Sequence, residues 1–181
     1  MTLTVRTAVR DDAAAIAHVR VTTWRAAYDG LIDDEVLAHM DEEREAARRR
    51  DVWDRTHADP RGAELVAELD GGVVGWAAYG PSVDEERPGS GQLFALYALP
   101  SHWSTGVGAA LLSAAERGLR DAGFTDAHLW VLEGNARAAT FYERNGWSED
   151  GGVLVDHRTG ADGRRYTLHE RRRTTSLSRV R

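Results

Sequence analysis

The sequence predicts one mixed α/β domain, and three observations carry that prediction. Two nearly all-apolar runs, residues 92–99 and 127–132, bracket an amphipathic stretch at 105–122, the pattern of two buried parallel strands joined by a crossover helix. An Asp70-Gly71-Gly72 turn separates AELVAEL from VVGWAAY, as in an antiparallel hairpin. The 181 residues, 42% hydrophobic and 29% charged, suffice for one sizeable core, and no repeat or Pro/Gly/Ser-rich linker divides them.

Taken in order, residues 3–7 read as a short strand. Asp11 or Asp12 can cap a helix on which Ala13, Ile16, Ala17, Trp24, Ala27 and Tyr28 recur near helical spacing, and Gly30 ends it. Residues 33–56 read as one strongly charged helix, closed by Pro60, Arg61 and Gly62. The hairpin and the fourth strand, 92–99, follow. The crossover helix buries Leu111, Leu112, Ala115 and Leu119 and leads into the strand at 127–132. Asn135 caps a short helix that stops at Asn145-Gly146. A last hairpin joins 153–155 to 164–170 around residues 160–163. The expected domain is therefore residues 1–170, with about seven strands and four helices. Residues 171–181, with five Arg and no acid, read as a flexible Arg-rich tail.

Composition removes several classes of function. No cysteine means no disulfide scaffold, thiolate zinc site or cysteine nucleophile. All 23 basic residues are Arg, which excludes a phosphate-loop lysine and Schiff-base chemistry. The net charge of -6 becomes -11 once the five tail arginines are set aside, so the body disfavours nucleic acid and suits a cationic or amine substrate. No run approaches the roughly 20 apolar residues of a membrane span, and MTLTVRTAVRDD lacks the apolar core of a secretory signal. A cytoplasmic protein with no membrane partner is expected. Neither H-E-x-x-H nor G-x-S-x-G occurs, and no metal is expected.

Two segments carry chemistry. LFALYALPSHWSTGVGAALL is a buried strand, a turn and a helix that opens at Gly106-Val107-Gly108, where small residues let a phosphate approach backbone N–H groups at the positive end of a helix. Alone, such a turn is often only a turn. LWVLEGNARAATFYERNGW places Asn135 and Tyr142 at the start and on one side of a short helix beyond the second parallel strand. Alone, Asn135 is a cap and Tyr142 a core residue.

Together with TWRAAYDGL and the strand LYAL before Pro100, these segments resemble the GCN5-related N-acetyltransferase (GNAT) superfamily over roughly residues 3–170. The resemblance implies a GNAT acyl-CoA N-acyltransferase fold, with central parallel strands splayed around the pantetheine arm of acetyl-CoA. The arm would lie between Leu96, Tyr97 and Ala98 on one strand and residues 130–132 on the other. The pyrophosphate would rest on the amides of Ser104, Thr105, Gly106, Val107, Gly108 and Ala109, which needs no lysine. Tyr142 would give a proton to the departing CoA thiolate, and Asn135 would order the cofactor arm. The turn departs from the family's Q/R-x-x-G-x-G/A in having Trp103 and Ser104, so a phosphate-facing side chain is missing from it. Trp130 stands where protein N-terminal acetylating members carry Glu.

The expected activity is acetyl transfer from acetyl-CoA to a primary amine of a small molecule or peptide, by direct attack in a ternary complex. Trp24, Tyr28 and Trp130 are expected in the acceptor pocket, because aromatic walls with acidic rims bind organic cations. For a base, Asp84, Glu85 and Glu86 lie on a loop near the mouth, with Glu35 and His157 as weaker choices. Homodimers are common among similar proteins and are one expected assembly. The competing expectation is a catalytically weak or inactive member that binds acyl-CoA or a partner. A dinucleotide-dependent oxidoreductase fits badly, because Leu111 occupies the third glycine position of its fingerprint.

Overall fold

The structure, a computed structural model, describes residues 2–160 and 163–178. Its strands are β1 (Leu3–Thr7), β2 (Ala63–Leu69), β3 (Gly72–Pro81), β4 (Gly91–Ala98), β5 (Asp126–Leu132), β6 (Ser148–Thr159) and β7 (Arg165–Ser176). They form one sheet of order β1-β2-β3-β4-β5-β7-β6, antiparallel throughout except for the parallel pair β4 and β5. The helices are α1 (Ala13–Ala27), α2 (Asp34–Ala38), α3 (Glu42–Thr56), α4 (Val107–Asp121) and α5 (Ala136–Arg144).

The single charged helix expected over 33–56 is two helices, which makes five in place of four. Asp41 explains the break, as Asp33 explains the start. Asp33 accepts the Glu35 N–H at 2.9 Å and Asp41 accepts the Arg44 N–H at 2.7 Å, so each starts its own helix. A side chain that satisfies leading amides competes with helix continuation at its own position. At α1 the expected aspartate cap is also replaced: a short 3₁₀ turn at Arg10–Asp12 leads in, and Asp12 bonds Val9 N–H and Arg6.

The strand period of two sorts the sheet into two layers. Ala77 and Leu93 pack with Leu111, Leu112, Ala115 and Leu119 of α4, whereas Val66 and Trp76 pack with Ile16 and Val19 of α1. Gly75 is required where α4 lies closest to β3. A Cβ there would sit 2.8 Å from Val107 Cγ1 and 2.9 Å from Leu111 Cδ1. Gly75→Ala is expected to cost about 1–3 kcal/mol by overpacking, read as a lower urea midpoint at unchanged m-value.

The flexible tail expected for 171–181 is corrected over its first half. Residues 171–176 continue β7 and pair with β5. Acidic partners hold the arginines in place: Arg171 reaches Glu133 at 2.8 Å, Arg172 reaches Glu86 at 2.9 Å and Asp150 at 3.0 Å, and Arg173 reaches Glu143 at 3.1 Å. Residues 161–162 of the last turn and residues 179–181 lie outside the described residues.

Candidate active site

The parallel pair parts. β4 and β5 are joined only at Gly91–Ala127 and Gln92–His128, yet β4 stays paired with β3 to Ala98 and β5 with β7 to Leu132. Beyond His128 the edges that face each other carry unbridged backbone groups. Phe94 adds a bulge, since Ala95 opposes Ala78 and Leu93 opposes Tyr79, and a bulge bends its strand.

Cavities open on both sides of this gap. One of about 780 Å³ lies toward α4 and α5 and is lined by Leu96, Tyr97, Ala98, Ser104, Gly106, Gly108, Ala109, Asn135 and Tyr142. The other, about 740 Å³, lies toward α1 and α3 and is lined by Trp24, Trp76, Asp156, Arg158 and Glu170 among others. Tyr28, Tyr97, Trp130 and Leu132 line both. Of the expected site residues, Trp24 lines only the second cavity, and the side chains of Thr105 and Val107 line neither. Thr105 Oγ1 donates to the His102 carbonyl at 2.7 Å, and Val107 is buried beneath β3.

The turn before α4 is shaped by positive φ at Ser104 (62°) and Gly106 (96°). The first bonded amide of the helix is Ala110, which donates to Gly106 O at 2.9 Å. The N–H groups of residues 104–109 have no acceptor among the described residues. Unpaired leading amides and the helix dipole together make an anion site. Trp103 is a brace: its Nε1 donates to the Ala98 carbonyl at 2.9 Å, which also accepts from Thr23 Oγ1 at 3.0 Å. α5 brings an arginine to the same turn. Arg137 stacks over the Trp103 ring at 4.0 Å, lines the same cavity and meets no carboxylate within ion-pair distance among the described residues. Nothing in the sequence marks Arg137, which sits inside the NARAATFY motif, far along the chain from the turn it lies against.

Asn135 caps α5, its side-chain oxygen accepting the Ala138 N–H at 3.1 Å, which leaves its amide N–H groups without a partner among the described residues. About two turns on, Tyr142 is buried against Phe141 and Trp147, with ring centroids at 5.2 and 6.2 Å. Burial, with a smaller contribution from Tyr97, pushes its phenol well above the ordinary tyrosine range. Its hydroxyl has no hydrogen-bond partner among the described residues.

On the α1 side, Trp24 and Tyr28 meet edge to face at 4.9 Å, and Trp76 stacks on Tyr97 at 5.7 Å. The buried Trp24 Nε1 has no hydrogen-bond acceptor among the described residues. Most carboxylates here are committed. Glu64 accepts from Trp76 Nε1 at 3.0 Å and Arg49 at 3.2 Å, and Asp156 accepts from Arg158 at 2.6 Å. Asp84 and Glu86 bind Arg172, Glu35 pairs with Arg164, and His157 contacts Thr167. Glu85 is exposed on its loop. Glu170, half-buried on β7 opposite Leu132, has no hydrogen bond or ion pair among the described residues. Burial raises its carboxyl above the ordinary glutamate range, countered in part by Arg158. Among the described residues no group of three His, Asp or Glu could hold a metal ion, and no helix is long and apolar enough to cross a membrane.

A central strand pair parts here around a backbone-lined passage, beside a helix with unpaired leading amides. Residues 24–147, more than half of the chain, match the model of the Acetyltransferase (GNAT) family, and the chain belongs to that family. It is 30% identical over 141 residues to the uncharacterized N-acetyltransferase YuaI of Bacillus subtilis, covering 78% of each chain. It is 31% identical over 141 residues to the uncharacterized N-acetyltransferase Rv2669 of Mycobacterium tuberculosis, covering 77% of this chain and 85% of that one. The fold is shared with PaiA N-acetyltransferase of Thermoplasma acidophilum in complex with coenzyme A, at TM-score 0.72 and 17% identity over 97% and 99% of the two chains. It is shared too with YncA of Salmonella typhimurium with its cofactor acetyl-CoA, at TM-score 0.69 and 20% identity over 100% and 97%. The resemblance read from the sequence is borne out in family and in fold.

Proposed function

We propose that this GNAT-family protein is an acetyl-CoA-dependent N-acetyltransferase that moves an acetyl group to a primary amine of a small molecule or peptide by direct attack in a ternary complex. The parted β4–β5 pair, ending at the unbonded amides of 104–109, carries the proposal. PaiA and YncA, solved with coenzyme A and acetyl-CoA, support the choice of cosubstrate.

The edge of β4 along Leu96, Tyr97 and Ala98 would offer its free backbone groups to the pantetheine amides as a strand would, the Ala98 carbonyl being held by Trp103 and Thr23. The amides of 104–109 would take the pyrophosphate, with Arg137 adding the charge that the turn lacks. Acetyl-CoA supplies an acetyl group activated as a thioester. Tyr142 stands on the cofactor side to protonate the thiolate as the amine nitrogen bonds the carbonyl carbon and the C–S bond breaks. A thiol near pKa 8.5 is a good leaving group, so the phenol needs placement more than acidity. The aromatic walls of Trp24, Tyr28 and Trp130 suit an organic cation entering from the other side.

Thiol release from acetyl-CoA in the presence of a panel of primary amines tests this directly. Amine-dependent release is the expected result; release that no amine increases would favour a binding protein without turnover. Arg137→Ala is expected to weaken acetyl-CoA binding about tenfold, the size of one charge-assisted contact. Calorimetry checks it, and an unchanged Kd would remove Arg137 from the phosphate site.

A further inference from the structure

The geometry points to Glu170 as the general base that takes the proton from the substrate ammonium, an assignment that rests on the acetyltransferase proposal above. An alkylammonium near pKa 10 has no lone pair to attack with, so a proton acceptor beside the amine raises the reactive fraction. The loop acids favoured from sequence are not free to serve: Asp84 and Glu86 are held by Arg172, and Glu85 is exposed at the rim. Glu64 and Asp156 are neutralised by Arg49 and Arg158.

Glu170 remains, and its position fits. It opposes Leu132, on the wall that the two cavities share, and lines the cavity on the α1 side. Tyr28 lines both cavities and so stands between the two sides, sharing one with Glu170 and the other with Tyr142. An amine held against Tyr28 would therefore have a proton acceptor on one side and a proton donor on the other. The groups that face Glu170 are Asp156 and Arg158 from β6, Leu132 from β5 and Tyr28, which follows α1. A half-buried carboxylate with no partner costs stability, and such costs collect at functional sites.

The step balances. The ammonium gives one proton to the Glu170 carboxylate and becomes a neutral amine. Its nitrogen bonds the acetyl carbon, the C–S bond breaks, Tyr142 protonates the sulfur, and the phenolate recovers the surplus proton from the new amide nitrogen. Glu170 then releases its proton to solvent.

The test uses wild type, Glu170→Gln and Glu170→Asp with the panel amine that wild type turns over fastest, following kcat/KM from pH 5 to 9. Glu170→Gln is expected to lose about 100-fold or more in kcat/KM near neutral pH and to lose the wild-type plateau, its rate climbing about tenfold per pH unit across the range with the free-amine fraction, with acetyl-CoA affinity unchanged. Glu170→Asp should keep the limb at a reduced rate, and it carries the test if Glu170→Gln does not fold. An unchanged rate, or a lowered rate that keeps the wild-type limb and plateau in Glu170→Gln, overturns the base assignment alone. Wild type without turnover of any amine overturns the acetyltransferase proposal, and this assignment with it.

Discussion

Tyr142→Phe is expected to lower kcat by about 10²–10⁴-fold, the usual contribution of a positioned proton donor, while the Kd for acetyl-CoA is unchanged. The substitution is clean because the hydroxyl has no hydrogen-bond partner among the described residues, so its removal leaves no buried group unpaired. The ring keeps its contacts with Phe141 and Trp147. Burial holds the phenol above the ordinary tyrosine range, so wild type keeps its donor protonated through neutral and mildly alkaline pH. The ratio of wild-type to variant rates should therefore be flat from pH 6 to 9. A steady-state comparison of kcat with a calorimetric Kd checks both halves, and an unchanged kcat would remove Tyr142 from the mechanism.

The largest effect on stability is expected at Trp147. It is 1% exposed in the core beneath α4 and α5, and its Nε1 donates to Glu116 Oε1 at 2.9 Å. Trp147→Ala should cost about 3–5 kcal/mol, combining lost burial with the cavity left behind, and it also strips Glu116 of its donor. The Trp147 N–H donates to the Tyr142 carbonyl at 3.0 Å, so the same residue seats the helix that presents the phenol. Urea unfolding checks the loss. Trp147→Phe, which keeps most of the volume, should recover more than half of it.

Much of this was legible in residue order. The crossover from 92–99 through an amphipathic helix to 127–132 could be read because a doubly buried strand needs apolar residues on both sides and a helix on only one. The splaying itself was not legible, because β4 and β5 carry similar apolar runs whether or not they pair, and only the family resemblance implied the gap. Helices α2 and α3 merged because charge periodicity runs across both, while the stop is set by one side-chain cap at Asp41. The Arg-rich end reads as a loose tail in sequence because its acidic partners, Glu133, Glu143 and Asp150, are remote along the chain. Arg137 and Glu170 escaped notice for the same reason. What marks them is a tryptophan from another element or the lack of a partner in three dimensions.

The central claim is that the gap between β4 and β5 receives acetyl-CoA. The most direct measurement is a calorimetric titration of the purified protein with acetyl-CoA, with CoA and NADPH as controls. Saturable one-site binding of acetyl-CoA, competed by CoA and absent for NADPH, is the predicted result. No binding at millimolar acetyl-CoA would contradict it, leaving the unbonded amides of 104–109 and the parted strands without the ligand to which they are assigned.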